Sequence, residues 1–464
     1  MPTCPHSTLS FETSSHAARV EYRRPSIQQR AQATSDINGD SCSDQTLISC
    51  PTSFPAPLVL PADDLSLDPG YPPQSLHEWL SEEDRNEVSL EKNVIYVAAP
   101  PGVQASVDFV SSWTHPQERD GKVACPDIQD AIDYLKAFYY GLPVRQLSSP
   151  RLSFTAWSTE AGKSKVKSLP PRFIGLDTST ECIRIRTRSS ADGVFKRQLN
   201  LDDLLDAAIS ILPDDAFALL LLLHHDLYEN ADDIFTCGRS YGGSRVAVIS
   251  TARYNPVLDH KQNVEREHAW PASHCKAYVE TMCAAEATPT KRPKKRPKVQ
   301  ESISTRPPSH SRKLNSPLSA LQAAASAYSA SLSSTSTSSQ ASQATLWLGR
   351  ICRTASHELG HCFGIDHCVY YACIMQGSAS LAEDVRQPPY LCPVDLAKVL
   401  RATGADVEKR YTALLRFCEK HGEDAMFAAF ATWIRTRILE VKDEHDGILP
   451  WDKELGIHVT DRLV

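Results

Sequence analysis

Residues Ser356–Gly377 read SHELGHCFGIDHCVYYACIMQG. His357 and His361 are four residues apart, so on a helix both imidazoles leave one face. That is the separation at which two nitrogens share one Zn²⁺. Glu358 adjoins the first histidine and can reach a water at the metal without itself ligating. Gly364 follows, and a glycine readily takes the left-handed conformation that ends a helix and turns the chain. The turn returns His367 towards the metal as a third ligand. Three protein ligands leave a fourth position open, which marks a catalytic rather than a structural site. HExxH alone is a weak signal. Adding Gly364 and His367 at fixed offsets lowers its chance occurrence about a thousandfold at typical residue frequencies.

A second set interleaves with the first. Cys368 directly follows the third histidine, and Cys373 and Cys392 come after it, the last opening the segment CPVD that ends at Asp395. Thiolates bind Zn²⁺ well, and a closed site here would pin the loop after the histidine helix. The spacing alone also fits three reduced, buried thiols.

The run from His357 to Asp395 resembles the archaemetzincin family of zinc metallopeptidases. The family pattern HExxHxxGxxHC, followed by CxM and CxxC, is met here by HELGHCFGIDHC, by Cys373-Ile374-Met375 and by CPVD. Weaker similarity to fungal members runs back through Asp226–Pro256. The resemblance implies a metzincin-like α+β or α/β fold, with an N-terminal mixed sheet and helices, an active-site helix and a mostly helical C-terminal part. It implies a catalytic zinc on His357, His361 and His367, and a second zinc on cysteines. It also makes Met375 the methionine of the turn beneath the catalytic metal. One position departs from the pattern: Asp395 stands where the family has its fourth cysteine. A carboxylate is a harder ligand than a thiolate. The second site is therefore expected to hold Cys368, Cys373, Cys392 and Asp395, to bind more weakly, to be completed by Cys362, Cys418 or His421, or to stay empty.

Outward from the motif, the chain divides by composition. Residues 1–70 are rich in Ser, Thr, Pro and His without a sustained apolar period, and read as a disordered tail holding Cys4, Cys42 and Cys50. Residues 71–283 alternate strands and helices. Val94–Ala98, Leu142–Leu147 and Ile183–Thr187 read as strands, Ile128–Phe138 and Leu201–Leu212 as helices, and the apolar run Ala216–Leu223 as a central strand. The stretch Arg245–Thr251 reads as a further strand and as an edge for an extended peptide. His268, His274 and Cys275 raise the thought of another metal site, but a helix packed near the cleft is the favoured reading. Tyr370 and Tyr371 read as packing residues rather than oxyanion donors.

Residues 284–343 change character, with KRPKKRPK at Lys291–Lys298 and then a Ser/Ala/Thr tract. They hold nine basic and two acidic residues, a net +7, so the remainder of the chain carries −14. This is expected to be a disordered insertion. Its basic block resembles a nuclear-import signal, against a solvated linker or a contact to nucleic acid. Residues 344–445 carry the motifs and then helices at Val394–Arg401, Val407–Lys420 and Asp424–Lys442, and 446–464 form a tail.

Composition bounds the remaining classes. Of 464 residues, 41% are hydrophobic and 23% charged, which excludes a wholly disordered or fibrous chain. The net charge of −7 argues against nucleic acid as the main partner. The longest purely apolar run, Ala216–Leu223, is far short of the about 20 residues of a membrane span. The N-terminus has no charged start followed by an apolar block, so no signal peptide is expected, and the 14 cysteines read as thiols or metal ligands. A cytoplasmic or nuclear location follows as an expectation.

The expected function is zinc-dependent hydrolysis of peptide bonds with Glu358 as general base, aminopeptidase-like by resemblance. The expected partners are a peptide or protein substrate and a nuclear import factor at Lys291–Lys298. The rival readings are a catalytically inactive, zinc-stabilised peptide-binding module and a nuclear interaction protein.

Overall fold

The structure is a computed structural model that describes residues 4, 6, 8–35, 52–117, 123–157, 171–178, 180–285, 318–333 and 339–445. In chain order its strands are β1 (Val94–Ala98), β2 (Gly102–Val103), β3 (Val144–Gln146), β4 (Ser153–Thr155), β5 (Phe173–Asp177), β6 (Cys182–Ser189), β7 (Arg197–Asn200), β8 (Ala216–Leu223), β9 (Asp226–Tyr228), β10 (Gly238–Tyr241) and β11 (Val246–Ser250). They form two sheets, one ordered β10-β11-β8-β1-β3 and the other β2-β4-β5-β6-β7-β9.

The apolar run at Ala216–Leu223 becomes the central strand because it is covered on both faces. Leu219, Leu221 and Leu223 pack into a core shared with the second sheet and the helix Leu201–Ser210. Leu220 and Leu222 point the other way, into the main core with Ile351, Ala355 and Leu359 of the helix Gln340–Cys362. Pairs β11–β8, β8–β1 and β1–β3 are parallel, and β10 alone runs antiparallel, against β11. The fold is thus mixed α/β, with helices carrying most of the chain after residue 339.

One expectation about this sheet is corrected. The strand expected at Arg245–Thr251 forms as β11 but lies inside the sheet, hydrogen-bonded on both sides. Arg245, in the left-handed conformation, closes a tight turn through Gly242 and Gly243, and folds β10 back as the edge. The sequence of β10 is polar and short, so no alternation announced it.

The expectation of a disordered 1–70 is corrected for its described residues. Ser15–Arg19 and Ile27–Gln32 are short helices capped by Ser14 and Ser26. Val59, Leu60 and Leu65 are buried. Tyr22 Oη donates to Val369 O at 2.6 Å, Arg24 Nε to Tyr370 O at 3.0 Å, and the Ala372 amide to Pro55 O at 2.9 Å. Helices this short show no period, and their partners lie far along the chain.

The expected disorder of 284–343 is corrected for Ala320–Ser333, a helix whose Leu321, Ala324 and Tyr328 join the core with Phe427 and Phe430. Its low-complexity sequence packs because small residues let two helices approach closely. Lys291–Lys298, Cys42, Cys50 and residues 446–464 lie outside the described residues. Among the described residues no helix is long and apolar enough to cross a membrane.

Candidate metal centres and cleft

The helix Gln340–Cys362 starts at Ser339, whose side chain accepts from the Ser342 amide, and presents His357 and His361 one turn apart. It ends as the glycine predicted: Gly364 has φ +74°, and the Ile365 amide donates to Gly360 O at 3.2 Å. The reversed chain brings His367 alongside. One ring nitrogen from each of His357, His361 and His367 lies within 4.8 Å of the others. The Nε2 atoms of His357 and His361 are 3.1 Å apart. Zn–N bonds in a tetrahedron put two nitrogens roughly 3.3 Å apart, so the pair is spaced for one ion. The Nδ1 atoms of His357 and His361 face Ile374 O at 2.8 Å and Ile365 O at 2.7 Å. Donating there fixes the tautomer and leaves each Nε2 lone pair for a metal. Burial, together with the nearness of His357, holds His361 well below the ordinary histidine range and His367 at about 3, which favours the neutral, ligating form of both.

Met375 sits directly beneath this helix. A side chain at Gly360 would come within 2.5 Å of the Met375 sulfur. The methionine therefore packs on the backbone of the motif itself, between His357 and His361.

Glu358 is buried, and burial raises its carboxyl, opposed by His357 and a hydrogen bond from Ser240 of the edge strand β10. Sequence reasoning missed Ser240, because only the hairpin places β10 across the helix. A cleft of about 1590 Å³ opens at this point, with His357, Glu358, His361 and His367 in its wall. The N-terminal segment supplies Asp64 and Tyr71 to the same cleft, also missed by the sequence reading. The Tyr71 and His367 rings are 5.6 Å apart. A side chain at Gly377 would run into the Asp64 carboxylate and lie 2.9 Å from His367 Nδ1, so these three groups sit together.

The second set also converges. Ligand atoms of Cys368, Cys373, Cys392 and Asp395 all lie within 4.8 Å of one another, in a buried place. Asp395 Oδ2 is 3.3 Å from Cys373 Sγ and 3.4 Å from Cys392 Sγ, and the Cys368 and Cys392 sulfurs are 3.5 Å apart. Burial raises Cys373 and Cys392 well above the thiol range. Asp395 is pushed up to about 7 by burial and by Cys368, against the pull of Lys398. Burial opposes ionisation of Cys368 too, but hydrogen bonds from Cys373, Cys392 and Asp395 hold it well below. Without a cation the cluster keeps most of its protons. A divalent ion is the group that lets all four donors ionise together.

Cys362, Cys418 and His421 stand elsewhere. Cys362 Sγ faces Glu358 O, Cys418 is buried, and His421 lies beside Phe417 and Asp130. Tyr371 packs under the guanidinium groups of Arg24 and Arg30, and Tyr370 is buried. His274 is a core histidine, its Nε2 3.3 Å from Ala56 O.

The arrangement thus joins three imidazoles, an adjacent carboxylate and an open cleft. Residues 330–401 match the model of Peptidase family M54. Archaemetzincin-2 of Homo sapiens is 45% identical over 75 residues, 16% of this chain and 21% of that protein. Archaemetzincin-1 of Mus musculus is 25% identical over 295 residues, 64% of this chain and 43% of that protein. A solved archaemetzincin of Methanopyrus kandleri aligns over 68% of this chain and 98% of its own, at 16% identity and a TM-score of 0.29. The chain spans only about a fifth of the length of the human Archaemetzincin-2 that it matches. Over its metal-site segment the chain is similar to Peptidase family M54 and to the archaemetzincins.

Proposed function

We propose that the chain is a zinc-dependent peptidase of the metzincin type, with Glu358 as general base. The observation that carries this reading is the Glu358 carboxylate, buried beside three converging imidazoles at the floor of an open cleft. A zinc ion on His357, His361 and His367 would supply a Lewis acid for the scissile carbonyl and lower the pKa of water. Glu358 accepts the proton of the attacking water and returns it to the leaving amine. Ser240 holds that carboxylate in place from β10. The outer edge of β10 aligns an extended peptide by main-chain pairing. The four donors Cys368, Cys373, Cys392 and Asp395 would hold a second, structural zinc and so pin the loop between His367 and Met375.

Aminopeptidase-like action is part of the proposal. Asp64 lies beside His367 in the cleft wall, where a carboxylate attracts a protonated α-amine. Import into the nucleus through Lys291–Lys298 is a separate proposal, tested by the location of the chain without that block.

The test is cleavage of a mixed peptide library read by mass spectrometry, comparing wild type with folded, equally zinc-loaded Glu358→Ala. Cuts by wild type alone, lost on N-acetylated peptides and weakened mainly in KM by Asp64→Asn, are the expected result. Equal cutting by both proteins removes Glu358 from its role. No cutting by either turns the centre into a binding module.

A further inference from the structure

A third group of metal-ligating side chains lies away from the cleft and takes no part in the proposed reaction. Ligand atoms of Cys4, His6 and His268 lie within 4.8 Å of one another. None of the three lines the cleft.

The two histidines are built into place. His6 and His268 are 8% and 9% exposed, and their rings meet edge to face at 5.3 Å between centroids. Each uses one nitrogen on the protein: His6 Nδ1 is 3.0 Å from Ser329 Oγ, and His268 Nδ1 is 3.0 Å from Glu265 Oε1. The other nitrogen of each, Nε2, is buried and has no hydrogen-bond partner among the described residues. Two unpartnered imidazole nitrogens in one buried place cost free energy. A metal ion removes that cost at both. A histidine whose far nitrogen bonds a carboxylate, as His268 does with Glu265, is the usual outer support of a metal ligand.

A sulfur completes the soft donor set. Cys4 Sγ belongs to the group, and Cys275 Sγ stands 3.5 Å from it, buried. Two thiolates on one tetrahedral Zn²⁺ come about 3.8 Å apart, so Cys275 is within a small adjustment of the fourth position. The placement of Cys4 and His6 does not depend on their own side chains. The Cys4 amide donates to Glu267, Leu9 bridges to Cys275, and main-chain hydrogen bonds join Ser10 to His274 and Lys276 to Thr8.

We propose that Cys4, His6 and His268, with Cys275 as fourth donor, form a third zinc site that fastens the N-terminal segment to the core. Sulfur and imidazole donors in tetrahedral number select zinc over harder divalent cations. The tethered segment leads on to Asp64 and Tyr71 of the cleft wall, so the site would set how firmly that wall is held.

The test uses the full chain purified under reducing conditions, with zinc per chain measured by atomic emission. Cys4→Ser/His6→Asn and His268→Ala should each lose one zinc equivalent against wild type, while Glu358→Ala keeps the wild-type content. In wild type, added zinc should slow alkylation of Cys4 at least tenfold, read by mass spectrometry, and His268→Ala should abolish that protection. The alkylation measurement needs only wild type, so it decides the matter even where a variant does not fold. Unchanged zinc in the folded double variant would sink the proposal. So would alkylation of wild-type Cys4 that ignores zinc, or a Cys4–Cys275 disulfide in the native chain.

Discussion

Lys398 Nζ lies 2.9 Å from Asp395 Oδ1, while Asp395 Oδ2 faces the sulfurs of Cys373 and Cys392. The two carboxylate oxygens are thereby divided between a cation and the thiol cluster. Lys398 is one turn further along the same helix and 1% exposed, and its other partner is Gln74 Oε1 at 2.8 Å. This explains how an aspartate sits where the resemblance calls for cysteine. A thiolate offers one atom, and a carboxylate leaves a second oxygen that must be satisfied when buried. Lys398 satisfies it.

Removing that lysine should therefore be costly. Lys398→Met leaves a buried carboxylate oxygen without its cation, a class of change that costs about 3–5 kcal/mol. Asp395→Cys alone should also destabilise, by stranding Lys398. The double change should recover most of the loss and tighten zinc binding. Denaturant unfolding of the four proteins gives the coupling, and additive effects would break the pairing argument.

Gly360→Ala tests the methionine beneath the motif. In an exposed helix interior this change stabilises by roughly 0.5–1 kcal/mol. Here the new methyl meets the Met375 sulfur at 2.5 Å, and overpacking costs about 1–3 kcal/mol. The sign should reverse, with a lower Tm and weakened zinc retention, both partly restored by Met375→Ala.

Two buried histidines make stability depend on acid. Burial lowers His225 and His274 from 6.5 to about 4. The unfolded chain binds their protons first as pH falls, so stability is full above pH 6.5 and is lost on the way down to about pH 4. Each accounts for about 3 kcal/mol across that window. Urea unfolding of His225→Leu against wild type should show a flatter pH slope between those limits. Parallel slopes would mean the ring is not held neutral.

The N-terminal packing predicts protease resistance. Arg24 donates to Tyr370 O and packs with Arg30 on Tyr371. Trypsin under native conditions should cut after Arg30 at least tenfold more slowly than in the urea-unfolded chain, Arg24 being shielded in both by Pro25. Cleavage at equal rates would return the segment to a disordered tail.

The histidine cluster was legible because it is local. His357, Glu358, His361, Gly364 and His367 fall within one helix and its terminal turn, where spacing along the chain is spacing in space. The central strand at Ala216–Leu223 was legible for a similar reason, since burial on both faces leaves an unbroken apolar run. The departure at Asp395 could be read, but its remedy could not, since Lys398 is one of many lysines until the helix is seen to bury it.

The sequence by itself determined the histidine triad, its adjacent carboxylate, the thiol set and the alternation of strands and helices before residue 283, all carried by near neighbours or by periodicity. Only the tertiary structure decided that β10 rather than β11 forms the edge, that Ser240 bonds Glu358, that Asp64 and Tyr71 wall the cleft, and that Cys4 and His6 meet His268. Those facts rest on contacts between residues distant in sequence, made by short polar segments with no period of their own. Their partners are chosen by the packing of the whole chain, which no local pattern records.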